Sequence, residues 1–123
     1  CWDAYRPLSL QKIMWEHVRD DRYIANPATG SRHNRGCAVD LTLVDREGRE
    51  LPMPTPYLEF SERAHRDWNF LPPEIARNRQ TLENAMAAEG FIPLHEEWWH
   101  FDAPEWENYP VLDINPYDEN YFI

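Results

Sequence analysis

Ser31-Arg32-His33-Asn34-Arg35-Gly36-Cys37-Ala38-Val39-Asp40-Leu41-Thr42-Leu43-Val44 is the stretch whose reading decides the fold. From Cys37 to Val44 it is apolar and β-branched, the composition of a strand placed centrally in a sheet. One carboxylate interrupts it, Asp40, flanked by Val39 and Leu41. Left unpaired in an apolar layer, such a group costs on the order of several kcal/mol, so it needs a cation or strong donors. A metal ion shared with the loop residue His33 is one solution. A salt bridge to an arginine such as Arg6 or Arg35 is the other, and the spacing alone leaves both open.

Working outward, Arg46–Arg49 turns the chain and Glu50–Met53 returns as a hairpin arm. Residues 52–73 hold five prolines and little periodicity, which predicts an extended loop that covers another part of the molecule. Pro73 opens a helix with an inner stripe of Ile75, Leu82, Ala85 and Met86, closed by Gly90 at C′. Phe91–Leu94 and Glu97–Phe101 then form a second hairpin. Upstream, Ser9 is the expected N-cap of a first helix whose apolar positions are Leu10, Ile13, Met14 and Val18. The tail from Asp102 is rich in Pro, Asp and Tyr, hence irregular, with the aromatics between Trp106 and Tyr121 sealing the core. These elements predict an α+β domain: a small, mostly antiparallel sheet with helices packed on one side.

The second chemical motif is Glu96-Glu97-Trp98-Trp99-His100-Phe101. On a regular strand Glu97 and His100 face opposite ways. Aiming both at one point requires a bulge or strand end near Trp98–Trp99, an irregularity common beside active sites. Otherwise the segment is an aromatic core strand with an exposed glutamate. Taken together, the motifs offer two histidines, one aspartate and a nearby glutamate. That is the donor set of a catalytic zinc site: three protein ligands, an open position for water, and a carboxylate to take the water's proton. His17, His65 and His95 read as surface or supporting residues, and Trp98 and Trp99 as packing residues.

The totals narrow the partners. A chain of 123 residues is read as one domain, 1–123, and 12 Lys plus Arg against 22 Asp plus Glu leave a formal charge of −10. Such a surface repels phosphate backbones, so nucleic acid is not an expected partner. No apolar run reaches the roughly 18 residues of a membrane span. Cys1 and Cys37 stand in no CxxC pair.

Ser31-x-His33-x-x-Gly36-x-Ala38-x-Asp40, followed by Glu97-Trp98-Trp99-His100 and preceded by Trp2-Asp3-Ala4-Tyr5-Arg6-Pro7, resembles the D-alanyl-D-alanine dipeptidases of vancomycin resistance and peptidoglycan turnover. These are related to lysostaphin-like peptidases, D-alanyl-D-alanine carboxypeptidases and hedgehog amino-terminal domains. The likeness runs through Ser61-Glu62-Arg63-Ala64-His65 and covers nearly the whole chain. It implies one zinc ion on His33, Asp40 and His100, and it makes Glu97, three residues before the last ligand, the base rather than Glu96. It further implies that Arg6 stabilises the oxyanion and that Ser31 lies near the substrate's carboxylate.

The chain departs from the family pattern twice. The aspartate that commonly binds the substrate's free ammonium falls on Leu58, and the neighbouring Glu59 is the candidate to replace it. The segment that precedes the Tyr-Arg-Pro motif in the family is also missing, so an upstream segment or a second chain is expected to complete the fold. The substrate implied is a small D-amino-acid dipeptide. The alternatives are a carboxypeptidase or endopeptidase acting on longer peptidoglycan peptides and, in another class, a non-catalytic zinc-bearing binding module.

Overall fold

The computed structural model describes residues 1–118 and 120. Its regular elements are α1 (Leu8–His17), β1 (Ala38–Asp40), α2 (Pro73–Ala88), β2 (Ile92–Pro93) and β3 (His100–Asp102), with single 3-10 turns at Arg32–Arg35, Glu62–Ala64 and Trp106–Asn108. The three strands form one antiparallel sheet in the order β1-β3-β2, which is the α+β class expected.

The central strand is β3, not the stretch from Cys37 to Val44. That stretch is regular only over β1, where Ala38 pairs with Asp102, Val39 with Phe101 and Asp40 with His100. The far side of β1 is nevertheless covered: Trp2 N–H donates to the Asp40 carbonyl at 2.8 Å, and Asp40 N–H donates to the Asp3 carbonyl at 2.8 Å. Asp40 therefore has backbone neighbours on both sides. Beyond it, Val44 and Glu50 bridge across the expected turn.

The core is aromatic. Trp98, Trp99, Phe101, Leu82 and Ala64 are buried, with Trp2, Met53, Tyr57 and Phe60 packed against them. Burying side chains of this size contributes about 1.5–3 kcal/mol each, so this cluster holds the sheet, α2 and the proline-rich loop together. Trp2 stacks on Tyr57 at 4.4 Å between ring centroids, and Tyr57 meets Trp99 edge-on at 5.6 Å. The expected covering loop is present, and what it covers is the core.

Both helices differ from the expected stripes. In α2, Leu82 is buried but Ala85 is exposed, and the inner face is completed by polar residues. Arg79 donates to the carbonyls of His65 and Trp68, and Glu83 pairs with Arg66 at 3.1 Å, so this face satisfies a loop that lacks its own backbone ladder. In α1, Leu10 and Ile13 lie on the exposed side while Gln11 is fully buried.

Ser9 makes no cap. Pro7 occupies the N-cap position of α1, and the tail supplies the partners instead. Leu8 N–H donates to the Leu112 carbonyl at 3.1 Å, and Ser9 N–H donates to Asp113 Oδ1 at 2.8 Å. The tail aromatics do not seal the core: Tyr109 and Tyr117 are exposed, and Tyr121 lies outside the described residues. Among the described residues no helix is long and apolar enough to cross a membrane.

Candidate metal centre

His33 is placed by local sequence. Ser31 Oγ accepts from His33 N–H at 3.2 Å while Asn34 Oδ1 accepts from Ser31 N–H at 2.7 Å, a reciprocal capping box around the turn that carries His33. Gly36 ends the turn with φ 66°, a left-handed conformation that glycine adopts without a Cβ penalty, and the chain then enters β1. Asp40 and His100 face each other across the β1–β3 register. Glu97 joins them because residues 97–99 leave the strand geometry: His100 N–H donates to the Glu97 carbonyl at 3.3 Å, a tight turn at the point where the alternation had to fail. Trp98 and Trp99 anchor that turn in the core.

The result is a triangle of donor atoms. His33 Nε2 lies 3.1 Å from Asp40 Oδ1 and 3.2 Å from His100 Nδ1, and His100 Nδ1 lies 3.1 Å from Asp40 Oδ1. The outer partners settle which ring nitrogens carry hydrogen. His33 Nδ1 faces the Ala4 carbonyl at 2.7 Å and His100 Nε2 faces Asp102 Oδ1 at 2.8 Å; both partners can only accept, so those nitrogens donate. In the neutral rings, His33 Nε2 and His100 Nδ1 then present lone pairs toward Asp40 Oδ1.

With both rings neutral these three acceptors would repel one another; a metal ion among them, or a proton on His100, relieves that repulsion. Bonds of about 2.0–2.2 Å at tetrahedral angles place ligand atoms roughly 3.4 Å apart, close to the spacing seen. These residues fit a metal ion.

Every inward group is supported from behind. Tyr57 hydroxyl donates to Asp40 Oδ2 at 2.7 Å, and Arg32 pairs with Asp102 at 2.8 Å while lying over the Trp106 ring. Arg66, buried over the Phe101 ring, donates to the carbonyls of Leu94, Glu97 and His100 and so clamps the turn that aims Glu97.

Burial penalises a charged Glu97 and pushes its carboxyl up to about 8, against the pull of His100. Burial also opposes a charged His100. Hydrogen bonds to Asp102 and Asp40 outweigh it and raise that ring to about 9. The same two histidines hold Asp40 well below the usual carboxylate range despite its burial.

A pH dependence follows. Without metal, the fold keeps a proton on His100 that an unfolded chain releases near its ordinary value of 6.5, so this contribution to stability is full below 6.5 and is lost as pH rises toward 9. A metal ion must displace that proton. Its affinity is expected to rise about tenfold per pH unit between pH 6.5 and 8 for one proton released. Competition titrations at three pH values check this, and an affinity flat across that window contradicts it.

The centre opens on a cavity of 520 Å³ lined by Arg6, Ser31, His33, Asp40, Glu97 and His100, with apolar side chains such as Leu58 and Phe60 and charged ones such as Asp21 and Glu96 completing its lining. The Arg6 guanidinium is fixed before any ligand arrives: Nε and Nη2 donate to Asp3 Oδ2 at 2.9 and 2.6 Å, and Nη1 donates to Gln11 Oε1 at 2.7 Å. That bond explains the buried glutamine. Leu58 faces the cavity with φ 65°. Glu59 is not among the lining residues; it accepts from Ser61 at 3.1 Å and pairs with Arg63 at 3.4 Å.

Sequence reasoning did not single out Tyr57, Asp102, Arg66 or Gln11. Only Asp102 carried a signal, since two residues beyond His100 on a strand is the same face.

The chain matches the family model described as D-ala-D-ala dipeptidase over residues 1–122. It is 40% identical over 111 residues to the D-alanyl-D-alanine dipeptidase of Escherichia coli (strain K12), covering 90% of this chain and 58% of that protein. The proteins of the same name from Enterococcus faecium and Streptomyces coelicolor are 31% and 30% identical over 140 residues, each covering 98% of this chain and 65% of the relative. The chain thus spans about three-fifths of the length of these curated relatives.

Proposed function

Since this chain belongs to the D-alanyl-D-alanine dipeptidase family, we propose that it hydrolyses D-alanyl-D-alanine or a similarly short peptide, with one zinc ion on His33, Asp40 and His100 and with Glu97 as general base. The observation that carries this reading is the donor triangle at 3.1–3.2 Å with the Glu97 carboxylate beside it, Oε2 lying 3.7 Å from His100 Nδ1. When bound, zinc supplies Lewis acidity, polarising a carbonyl and making a water acidic near neutral pH. Glu97 would accept that water's proton and deliver it to the leaving amine; the charge of a bound ion beside it favours the carboxylate form that a base requires, against the burial that raises this group in the metal-free protein.

Arg6 offers a preorganised positive charge to the oxyanion that develops on the attacked carbonyl, an interaction worth about 2.7–4 kcal/mol where one such donor is removed elsewhere. Ser31 stands near the substrate's carboxylate, although its hydroxyl already accepts from the His33 N–H. A binding module has no need of a base and an oxyanion clamp aimed at one cavity.

One observation favours a second reading within the same chemistry. Leu58 occupies the cavity wall where a charged anchor for a free ammonium is expected, and Glu59 would have to release Ser61 and Arg63 to serve. An apolar side chain at that position suits a substrate whose amine is acylated, as in a longer peptidoglycan peptide acted on by a carboxypeptidase or endopeptidase. The deciding experiment compares kcat/KM for D-alanyl-D-alanine and its N-acetylated form. Preference for the free dipeptide is the expected result; preference for the blocked one replaces dipeptidase with carboxypeptidase. Equal silence on both, with zinc bound, removes the reading.

A further inference from the structure

Away from the centre described above, one other set of metal-ligating side chains converges among the described residues. His65, Asp67 and His95 each offer a ligand atom, and these atoms all lie within 4.8 Å of one another. We propose that they form a second site for a divalent transition metal of the zinc class, on the outer side of the two segments that frame the catalytic cavity.

Two imidazoles and one carboxylate make a donor set that suits zinc, nickel or copper and disfavours calcium or magnesium, which take oxygen ligands. The backbone positions are not accidental neighbours of a floppy surface. His65 N–H donates to the Glu62 carbonyl at 3.1 Å and the His65 carbonyl receives Arg79, so the residue is held at both peptide ends. Arg66 N–H donates to the His95 carbonyl at 2.9 Å, which pins residues 65–67 against residue 95. The Tyr23 hydroxyl meets His65 Nε2 at 3.0 Å and orients that ring, the support a ligating histidine ordinarily receives.

The rings of His65 and His95 stand 5.5 Å apart between centroids, and His95 Nε2 lies 3.5 Å from Asp67 Oδ1. That separation is the one expected for two ligands of a single tetrahedral ion, about 3.4 Å. Asp67 and His95 are exposed, so an ion enters directly from solvent and retains water in its remaining position. The formal charge of −10 concentrates cations at the surface, and Glu62 adds a carboxylate to the 460 Å³ depression it lines with His65 and Asp67.

Glu62 stands exposed in that open depression and is not enclosed as Glu97 is at the first centre. The second ion acts as a staple. It ties residues 65–67 to residue 95, and residues 94 and 96 on either side of that ligand line the cavity. Occupancy therefore stiffens the wall next to Glu97 and raises stability without supplying a reacting group.

The test uses the whole chain and zinc alone. Wild type is expected to bind two ions in equilibrium dialysis, whereas Asp67→Ala and His95→Ala each bind one, with hydrolysis at one zinc equivalent unchanged. Excess zinc is expected to raise the melting temperature of wild type but not of Asp67→Ala. A wild type that binds a single ion overturns the proposal, as do two ions retained by both variants. Asp40→Asn separates this site from the first: one ion kept by Asp40→Asn and lost on adding Asp67→Ala places it at the second site, and no ion kept by Asp40→Asn rejects that site alone.

Discussion

Glu97→Gln is expected to lower hydrolysis by roughly 10²- to 10⁴-fold, the range a positioned general base contributes, while metal content stays at the wild-type level. Glutamine has the shape of glutamate and cannot take a proton from water, so the substitution removes one chemical act and little else. Burial already drives the Glu97 carboxyl toward its neutral form, pushing it up to about 8. A neutral amide in the same place is therefore no heavier a burden on the fold. The variant should unfold at or above the wild-type denaturant midpoint when both are metal-free at pH 8.

Steady-state kinetics together with metal analysis check the expectation. Activity within threefold of wild type would take the base role away from Glu97. A large loss of activity accompanied by loss of metal would show that its part is in building the centre and not in proton transfer.

The second large effect concerns Asp40. Asp40→Ala should abolish metal binding in the micromolar range and with it all turnover, a larger loss than the 10- to 100-fold typical of outer partners such as Asp102 or Tyr57. Its Oδ1 is the common neighbour of both imidazole nitrogens, and its Oδ2 receives the Tyr57 hydroxyl. Removing it leaves a buried hydroxyl without an acceptor and the protonated His100 ring without one of its two carboxylate partners.

Breaking a buried charged pair from one side costs about 3–5 kcal/mol, so the metal-free variant should also be destabilised by an amount of that order. Asp40→Asn keeps the volume and an acceptor for Tyr57. It should recover much of that stability while still failing to hold metal at this centre. Urea unfolding and metal titration on the pair of variants decide the matter; a metal-free Asp40→Ala as stable as wild type would mean that Asp40 contributes no net electrostatic stabilisation to the triangle.

Much of the centre was legible along the chain because its geometry is local. The seven-residue step from His33 to Asp40 is bridged by a capped turn, a left-handed glycine and a short strand, each with a chemical mark in Ser31, Asn34, Gly36 and the β-branched run. The tight turn at Glu97–Trp99 was foreseeable for another reason: strand alternation separates Glu97 from His100, so a shared target demands a break. Identifying Glu97 over Glu96, and giving Arg6 and Ser31 their roles, needed the family pattern, since nothing in the local chemistry distinguishes those residues.

What was misjudged depended on distant parts of the chain. Periodicity turned Leu10 and Ile13 inward in α1, yet the buried position is Gln11, because Arg6 stands on that side and its guanidinium requires an acceptor. Ser9 looks like a cap in isolation, but Leu112 and Asp113 satisfy those N–H groups from the other end of the chain. The inner face of α2 carries Arg79 and Glu83 since the proline-rich loop beside it must find its hydrogen bonds in side chains.

The sequence by itself determined the α+β class and the order of its elements, and it marked His33, Asp40 and His100 as the candidate ligands, because hydrophobic period, turn residues and short motif spacings all act over a few residues. Tertiary structure alone decided that β3 lies at the centre of the sheet, that Tyr57, Asp102 and Arg66 hydrogen-bond Asp40, His100 and the backbone of the Glu97 turn, and that Leu58 rather than Glu59 faces the cavity. Those outcomes rest on contacts between segments tens of residues apart, where burial and the satisfaction of buried polar groups choose among partners that local pattern leaves equivalent.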